Sequence, residues 1–189
     1  MDGVLNVFTA FGLSSSAGLN AYLPLLVVAL LARFTDLITL KAPWDALESW
    51  WVIGVLVVLL LIEILVDKIP AVDSINDAIQ TFIRPVAGAI LFAASAGVIG
   101  ETHPVLALIC GLLVAGGVHV AKATARPVIT GTTAGVLNPV VSAAEDAVSL
   151  VVSVLSIVVP VLGLILLLAV LVWLIRRRWR RRDKPAATW

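Results

Sequence analysis

The chain has 189 residues, 61% of them apolar and 13% charged, with a formal net charge of +1 and a mean hydropathy of +1.11. Soluble domains average about 45–50% apolar and about 25% charged residues, so this composition excludes a soluble enzyme, a disordered chain and a nucleic-acid-binding domain. It predicts an all-α, polytopic helical membrane protein, because apolar runs of this length do not stay in water.

The predicted elements follow the stretches that carry no charge. Gly3–Ala32 contains no Asp, Glu, Lys or Arg and would be about 45 Å long as one helix. The Met-Asp-Gly start has no positive n-region, so this run is expected to persist in the mature protein. Ser49–Val66 comes next, opened by Trp50 and Trp51 as interfacial anchors and interrupted by Glu63. A polar connector follows at Pro70–Ile79. Within it Val72–Ile83 is amphipathic at helical spacing, which suits a helix lying on the membrane surface or dipping into it. Pro85–Gly100 and Thr102–Ala121 are further apolar runs, and a second connector, Pro139–Val148, leads into Ala147–Ile175. That last stretch exceeds one untilted span, and Pro160 near its middle breaks it into two passes or kinks it. The single Cys110 sits in an apolar run, forms no intrachain disulfide and reads as packing. The organisation is one transmembrane domain over residues 1–175 and a basic tail over 176–189.

Orientation follows from the thirteen Lys and Arg. Seven lie in Arg176–Lys184, which the positive-inside rule places in the cytoplasm. With about six crossings, Lys68, Arg84, Lys122 and Arg126 join them, while Arg33 and Lys41 face outward. Both termini are then cytoplasmic and the chain is a multi-pass protein of the cytoplasmic (inner) membrane.

The two connectors resemble each other. Pro70–Ile79 and Pro139–Val148 align without gaps at an offset of 69, with Pro, Val, Asp and Ala identical at four of ten positions. Ser15–Asn20 echoes Thr132–Asn138, and Arg84-Pro-Val echoes Arg126-Pro-Val. An internal repeat with halves of about 8–85 and 86–175 would match small transporters, whose sites lie where broken helices meet. Each connector also has Pro in the first turn of a helix and acids just after it, as suits the positive end of the helix dipole.

The candidate site residues are the polar groups that the bilayer penalises. Glu63 lies deep in an apolar span and needs a partner or water. Asp67 shares its helix face at i+4, with Lys68 adjacent, an arrangement suited to proton exchange or cation coordination. Asp73, Asn76 and Asp77 line one side of the first connector, with Arg84 after it; Glu145 and Asp146 belong to the second. His119, Lys122 and Arg126 stand at i, i+3 and i+7 as a basic stripe that either pairs with the acids or binds an anionic group. Ser15, Ser16, Asn20 and Asn138 belong to hydroxyl-rich segments that either line a site or pack closely. Gly131-x-x-x-Gly135 and Ala93-x-x-x-Gly97 carry the packing alternative. His103 reads as solvated. No protease, Walker or dinucleotide motif is present, so no enzyme and no cofactor are expected. Two His and one Cys without ligand spacing argue against a zinc or iron centre, and any other metal is left open.

At Ser16-Ala-Gly-Leu-Asn-Ala-Tyr-Leu-Pro24 and Asp67-Lys-Ile-Pro-Ala-Val-Asp-Ser-Ile-Asn-Asp77, with Arg84-Pro85 following, the chain resembles a bacterial integral-membrane family known as a domain of unknown function. The resemblance spans roughly residues 8–175 and implies a membrane protein with these polar connectors as its signature. The expected function is a small transporter or channel for a small ion or solute, with a homo-oligomer and the lipid bilayer as partners and no nucleic acid. The alternatives are a lipid-handling protein gripping a phosphate headgroup, or a membrane scaffold without transport.

Overall fold

The computed structural model describes residues 2–67, 70–97 and 103–159. Lys68, Glu101, Pro160 and the basic tail lie outside the described residues, as does the side chain of Asp73. The architecture is six α-helices without a strand among the described residues: α1 (Asp2–Leu19), α2 (Tyr22–Phe34), α3 (Trp50–Val66), α4 (Pro70–Ser95), α5 (Pro104–Thr133) and α6 (Asn138–Val159). A short 3-10 turn, Trp44–Glu48, joins α2 to α3. The last three helices contain spans long and apolar enough to cross a membrane, and α1 to α3 are shorter apolar helices.

The first apolar run is not one helix but two. Pro24 has no N–H to donate to the Asn20 carbonyl, and its ring clashes with that position in a continuous helix. The Asn20 side chain completes the break: its Oδ1 accepts from the backbone N–H of Tyr22 at 3.0 Å and of Leu23 at 2.9 Å, satisfying the first turn of α2.

The helices then alternate in direction. Asn6 of α1 lies beside Gly97, and Ser14 Oγ donates to the Gly88 carbonyl at 2.8 Å, so α1 is antiparallel to α4. Ala10 clusters with Ala107, Gly18 abuts Ala115 and Val118, and the Leu19 carbonyl accepts from Lys122, so α1 is parallel to α5. Near the far end of α2, Arg33 donates to the Glu48 carbonyl at 2.6 Å and stacks 4.3 Å over the Trp50 ring. Trp44, in the turn beyond, packs on the Ala10, Phe92, Ala96 and Ala107 cluster, which lies toward the α1 N-terminal end. Thus α2 runs back alongside α1, and the two form a hairpin whose tip is Asn20. The one-span reading of Gly3–Ala32 placed the chain start at the end of the bundle that holds Arg84 and Arg126. The hairpin places Asp2 at the opposite end, with Arg33. With native Cys110 replaced by Ser, Gly3→Cys and Asp36→Cys are expected to label from one side of the membrane and Gly131→Cys from the other. A Gly3 label on the side of Gly131 would sink the hairpin topology.

Small residues let α1, α4 and α5 approach closely. A Cβ on Gly111 would lie 2.3 Å from the Gly88 carbonyl oxygen, and one on Gly88 would lie 2.3 Å from the Ala115 Cβ. Such contacts replace the hydrophobic drive that helices lack in lipid. Of the two motifs singled out for packing, Ala93-x-x-x-Gly97 packs as expected, with Ala93 buried and a Cβ on Gly97 only 2.7 Å from Asn6 Nδ2, whereas Gly131-x-x-x-Gly135 does not. A Cβ on Gly131 would meet nothing within 4 Å, and Gly135 (φ +79°) turns the chain between α5 and α6. Outside, Trp51, Phe8, Phe82, Leu113 and Val140 are exposed; inside, charged groups are buried. The polarity is inverted, as a lipid solvent demands.

The connector segment Val72–Ile83 is not a separate surface helix. It is the first half of α4, which continues through Pro85 to Ser95. The basic stripe likewise lies inside α5, not at a span end: the helix runs on past Lys122 to Thr133.

Candidate functional site

Charged side chains from α3 to α6 converge on the tip of the α1–α2 hairpin. The end of α3 supplies Glu63 and Asp67. One face of α4 supplies Asp77, Gln80 and Arg84 at i, i+3 and i+7, and one face of α5 supplies His119, Lys122 and Arg126 at the same spacing. Ser142, Glu145 and Asp146 enter from α6. Glu63 is 2% exposed and Arg84 1%, and Asp67, Gln80, His119, Lys122 and Arg126 are also buried.

Ion pairs link these groups in sequence. Arg84 Nη2 donates to Glu63 Oε1 at 3.1 Å, and Arg84 Nη1 lies 3.9 Å from Asp77 Oδ1. Asp77 Oδ2 accepts from Arg126 Nη1 at 2.7 Å. Arg126 Nη2 lies 3.4 Å from Glu145 Oε2 and 3.9 Å from Asp67 Oδ2. Lys122 Nζ pairs with Glu145 Oε2 at 2.7 Å. Asp67 also accepts from Asn76 Nδ2 at 3.1 Å and from the Ser142 hydroxyl.

His119 joins as a neutral group. Arg84 Nη1 donates to its Nδ1 at 3.1 Å, so that nitrogen is an acceptor; the opposite Nε2–H donates to Thr81 Oγ1 at 3.0 Å. The Thr81 hydroxyl in turn donates a hydrogen bond to the Asp77 backbone carbonyl at 2.9 Å.

Both broken helix ends at the hairpin tip meet this cluster. Lys122 Nζ donates to the Leu19 carbonyl at 3.2 Å, placing a cation on the negative end of the α1 dipole. Asn20, whose Oδ1 caps α2, uses its Nδ2 to donate to Asp146 Oδ1 at 2.9 Å.

A hydroxyl seam extends from the tip toward the other end of the bundle. Ser16 and Ser153 hydroxyls are 2.8 Å apart, Ser149 Oγ donates to the Ser16 carbonyl at 3.1 Å, and Thr9 Oγ1 donates to the Ser156 carbonyl at 2.8 Å. Of these groups the sequence reading named Ser16. The signal for the rest was present: Ser142, Ser149, Ser153 and Ser156 recur at intervals of seven, four and three, one face of a helix. Thr81 also escaped it.

The structure thus brings Glu63, Asp67, Asn76, Asp77, Arg84, His119, Lys122, Arg126, Glu145, Asp146, Ser16 and Asn20 to one connected region. Ser15 and Asn138 fall outside it. Ser15 Oγ donates to its own helix at the Phe11 carbonyl, 2.8 Å away. Asn138 accepts from Thr130 at 3.1 Å across the exposed α5–α6 turn. Their hydroxyl-rich neighbourhoods looked alike in sequence, but the left-handed Ala134 and Gly135 turn the Thr130–Asn138 segment away from the bundle interior. The placements of Lys68 and the Asp73 side chain lie outside the described residues.

The chain matches the family model described as "Domain of unknown function (DUF4126)" over residues 7–181. No curated protein and no solved structure matches it. The match covers nearly the whole chain, including every element that builds the charged cluster, and the protein therefore belongs to the DUF4126 family of domains of unknown function.

Proposed function

We propose that this protein is a small transporter or channel that moves a small ion or solute across the cytoplasmic membrane, with its basic tail in the cytoplasm. The observation that carries this reading is the hairpin tip. Two half-helix ends, at Leu19 and Tyr22, meet a buried charged cluster within a shell of exposed apolar residues. Broken helices of this kind present backbone carbonyls and N–H groups to ions and substrates in membrane carriers. Ionisable groups in a bundle interior mark such pathways, since their desolvation cost selects against them elsewhere.

In this reading Glu63, Asp67, Asp77, Glu145 and Asp146 bind the moving cation or proton, while Lys122 and Arg126 balance charge. The helical form common to Pro70–Ile79 and Pro139–Val148 supports a repeat that would relate the two halves. A second copy of the chain would complete a pathway too narrow for 189 residues alone.

A flux screen of ions and small solutes in proteoliposomes tests the proposal. The expected outcome is flux of at least one species, lost on Asp146→Asn and on Lys122→Met while both variants stay monodisperse. Wild-type vesicles that stay tight to every species would leave a scaffold. Lipid scrambling that requires Lys122 and Arg126, without solute flux, would favour lipid handling.

A further inference from the structure

We propose that Glu63 and Asp146, on either side of the hairpin tip, are exchangeable proton sites. The inference deepens the transport reading by naming the coupled ion, although the sites stand on their own geometry.

Charge balance comes first. Among the described residues the cluster holds five carboxylates (Glu63, Asp67, Asp77, Glu145 and Asp146) against three bases, Arg84, Lys122 and Arg126, with His119 neutral. Two formal negative charges in excess are not sustained in a bundle interior, where an uncompensated charge neutralises by taking up a proton or binding a cation.

Geometry says where the protons go. Arg126 and Lys122 close on Asp67, Asp77 and Glu145. Glu63 is bonded through Oε1, while its Oε2 is buried with no partner. Gln80, 1% exposed, has an Oε1 that also lacks a donor. Asp77 Oδ1 is a third buried acceptor without a donor, but Asp77 holds Arg126 at 2.7 Å through Oδ2 and has Arg84 at 3.9 Å, so the missing hydrogen is assigned to Glu63. Asp146 accepts from the neutral amide of Asn20 and forms no ion pair among the described residues. A metal ion fits less well, since no group of three or more His, Cys, Asp or Glu among the described residues is arranged to hold one.

Arg84 of α4 bonds Glu63, with His119 of α5 behind it; Asp67 follows at i+4 from Glu63 on the end of α3, and Tyr22 of α2 and Asp146 of α6 sit at the Asn20 tip. Among the described residues Arg84 is the one cation that touches Glu63, and it has a second carboxylate within reach at Asp77, 3.9 Å away. Protonation of Glu63 weakens its hold on Arg84 and favours a turn toward Asp77. A proton at the tip is thereby tied to a rearrangement between α3 and α4.

Two readouts test this on the full-length protein in liposomes. The first is the infrared band of protonated carboxyl groups, recorded against pH. The second is labelling by the apolar dicyclohexylcarbodiimide, which reacts with protonated carboxyls in apolar surroundings and is mapped by mass spectrometry. The wild-type protein is expected to show the band at neutral pH and to lose it on alkalinisation, with adducts on Glu63 and Asp146. Glu63→Gln and Asp146→Asn should each remove part of the band, and the double variant all of it. A wild-type protein without the band, or adducts confined to Asp67, Asp77 or Glu145, would overturn the proposal; this arm needs no variant to fold. Neither readout needs flux, so tight vesicles with an intact band would defeat transport and leave the proton sites standing.

Discussion

At alkaline pH, with Glu63 ionised, Arg84→Gln is expected to destabilise the protein by about 3–5 kcal/mol, the usual cost of stranding one member of a buried ion pair. The guanidinium is 1% exposed and serves three groups at once: Glu63 at 3.1 Å, the His119 Nδ1 at 3.1 Å and Asp77 at 3.9 Å. Its removal leaves Glu63 without a base among the described residues, and one oxygen of that carboxylate already lacks a partner. Adding Glu63→Gln should recover most of the loss, because two neutral amides of similar shape carry no uncompensated charge. The measurement is a double-mutant cycle of unfolding free energy in detergent. A single change costing under about 1 kcal/mol, the range of exposed pairs, would show that the pair is hydrated and that the cluster is not an interior site.

Gly111→Leu is expected to have the second large effect, through packing. Its Cβ would lie 2.3 Å from the Gly88 carbonyl oxygen and 2.7 Å from the Ala89 Cα. Both are backbone atoms, so no rotamer change relieves the clash and α4 must separate from α5. Overpacking costs about 1–3 kcal/mol when side chains yield, and here the backbone must move, so the loss should reach or exceed that range. The displacement also opens the Arg126–Asp77 contact, which spans the same two helices. Gly131→Ala is the internal control: in the last turn of α5 its Cβ meets nothing within 4 Å, and the helix should gain up to about 1 kcal/mol. Thermal unfolding of both variants checks the contrast. Equal tolerance at the two positions would mean that α4 and α5 are not in backbone contact.

Membrane class and candidate chemistry were legible in the linear chain because lipid imposes an unusually strict rule. A Glu63 inside Leu59–Val66 is costly enough that it must be buried and partnered. Residue type and position therefore sufficed to nominate Glu63, Asp67, Asp77, Lys122, Arg126 and Asp146. The partners themselves were not legible. Which base meets which acid depends on how α3, α4, α5 and α6 are arrayed, and an apolar helix surface says little about its neighbour when lipid and helix are equally apolar.

The hairpin at Asn20 marks the boundary between the two kinds of knowledge. The thirty-residue run carried its own break signal, since Pro24 forbids the Asn20 carbonyl a helical partner. Whether such a break becomes a kink or a reversal is a matter of what receives the freed backbone groups. Tertiary structure supplied Lys122 for the Leu19 carbonyl and Asp146 for the Asn20 amide, and those contacts hold the tip inside the bundle. The same division separates Ser16 from Ser15. They are adjacent in the chain and identical in chemistry, yet one faces Ser153 across the α1–α6 seam and the other bonds its own helix. By itself the sequence determined that charges must be buried in an all-helical membrane protein, because desolvation is a property of each residue. Only the tertiary structure decided which charges share a cluster, because pairing is a property of the space between helices.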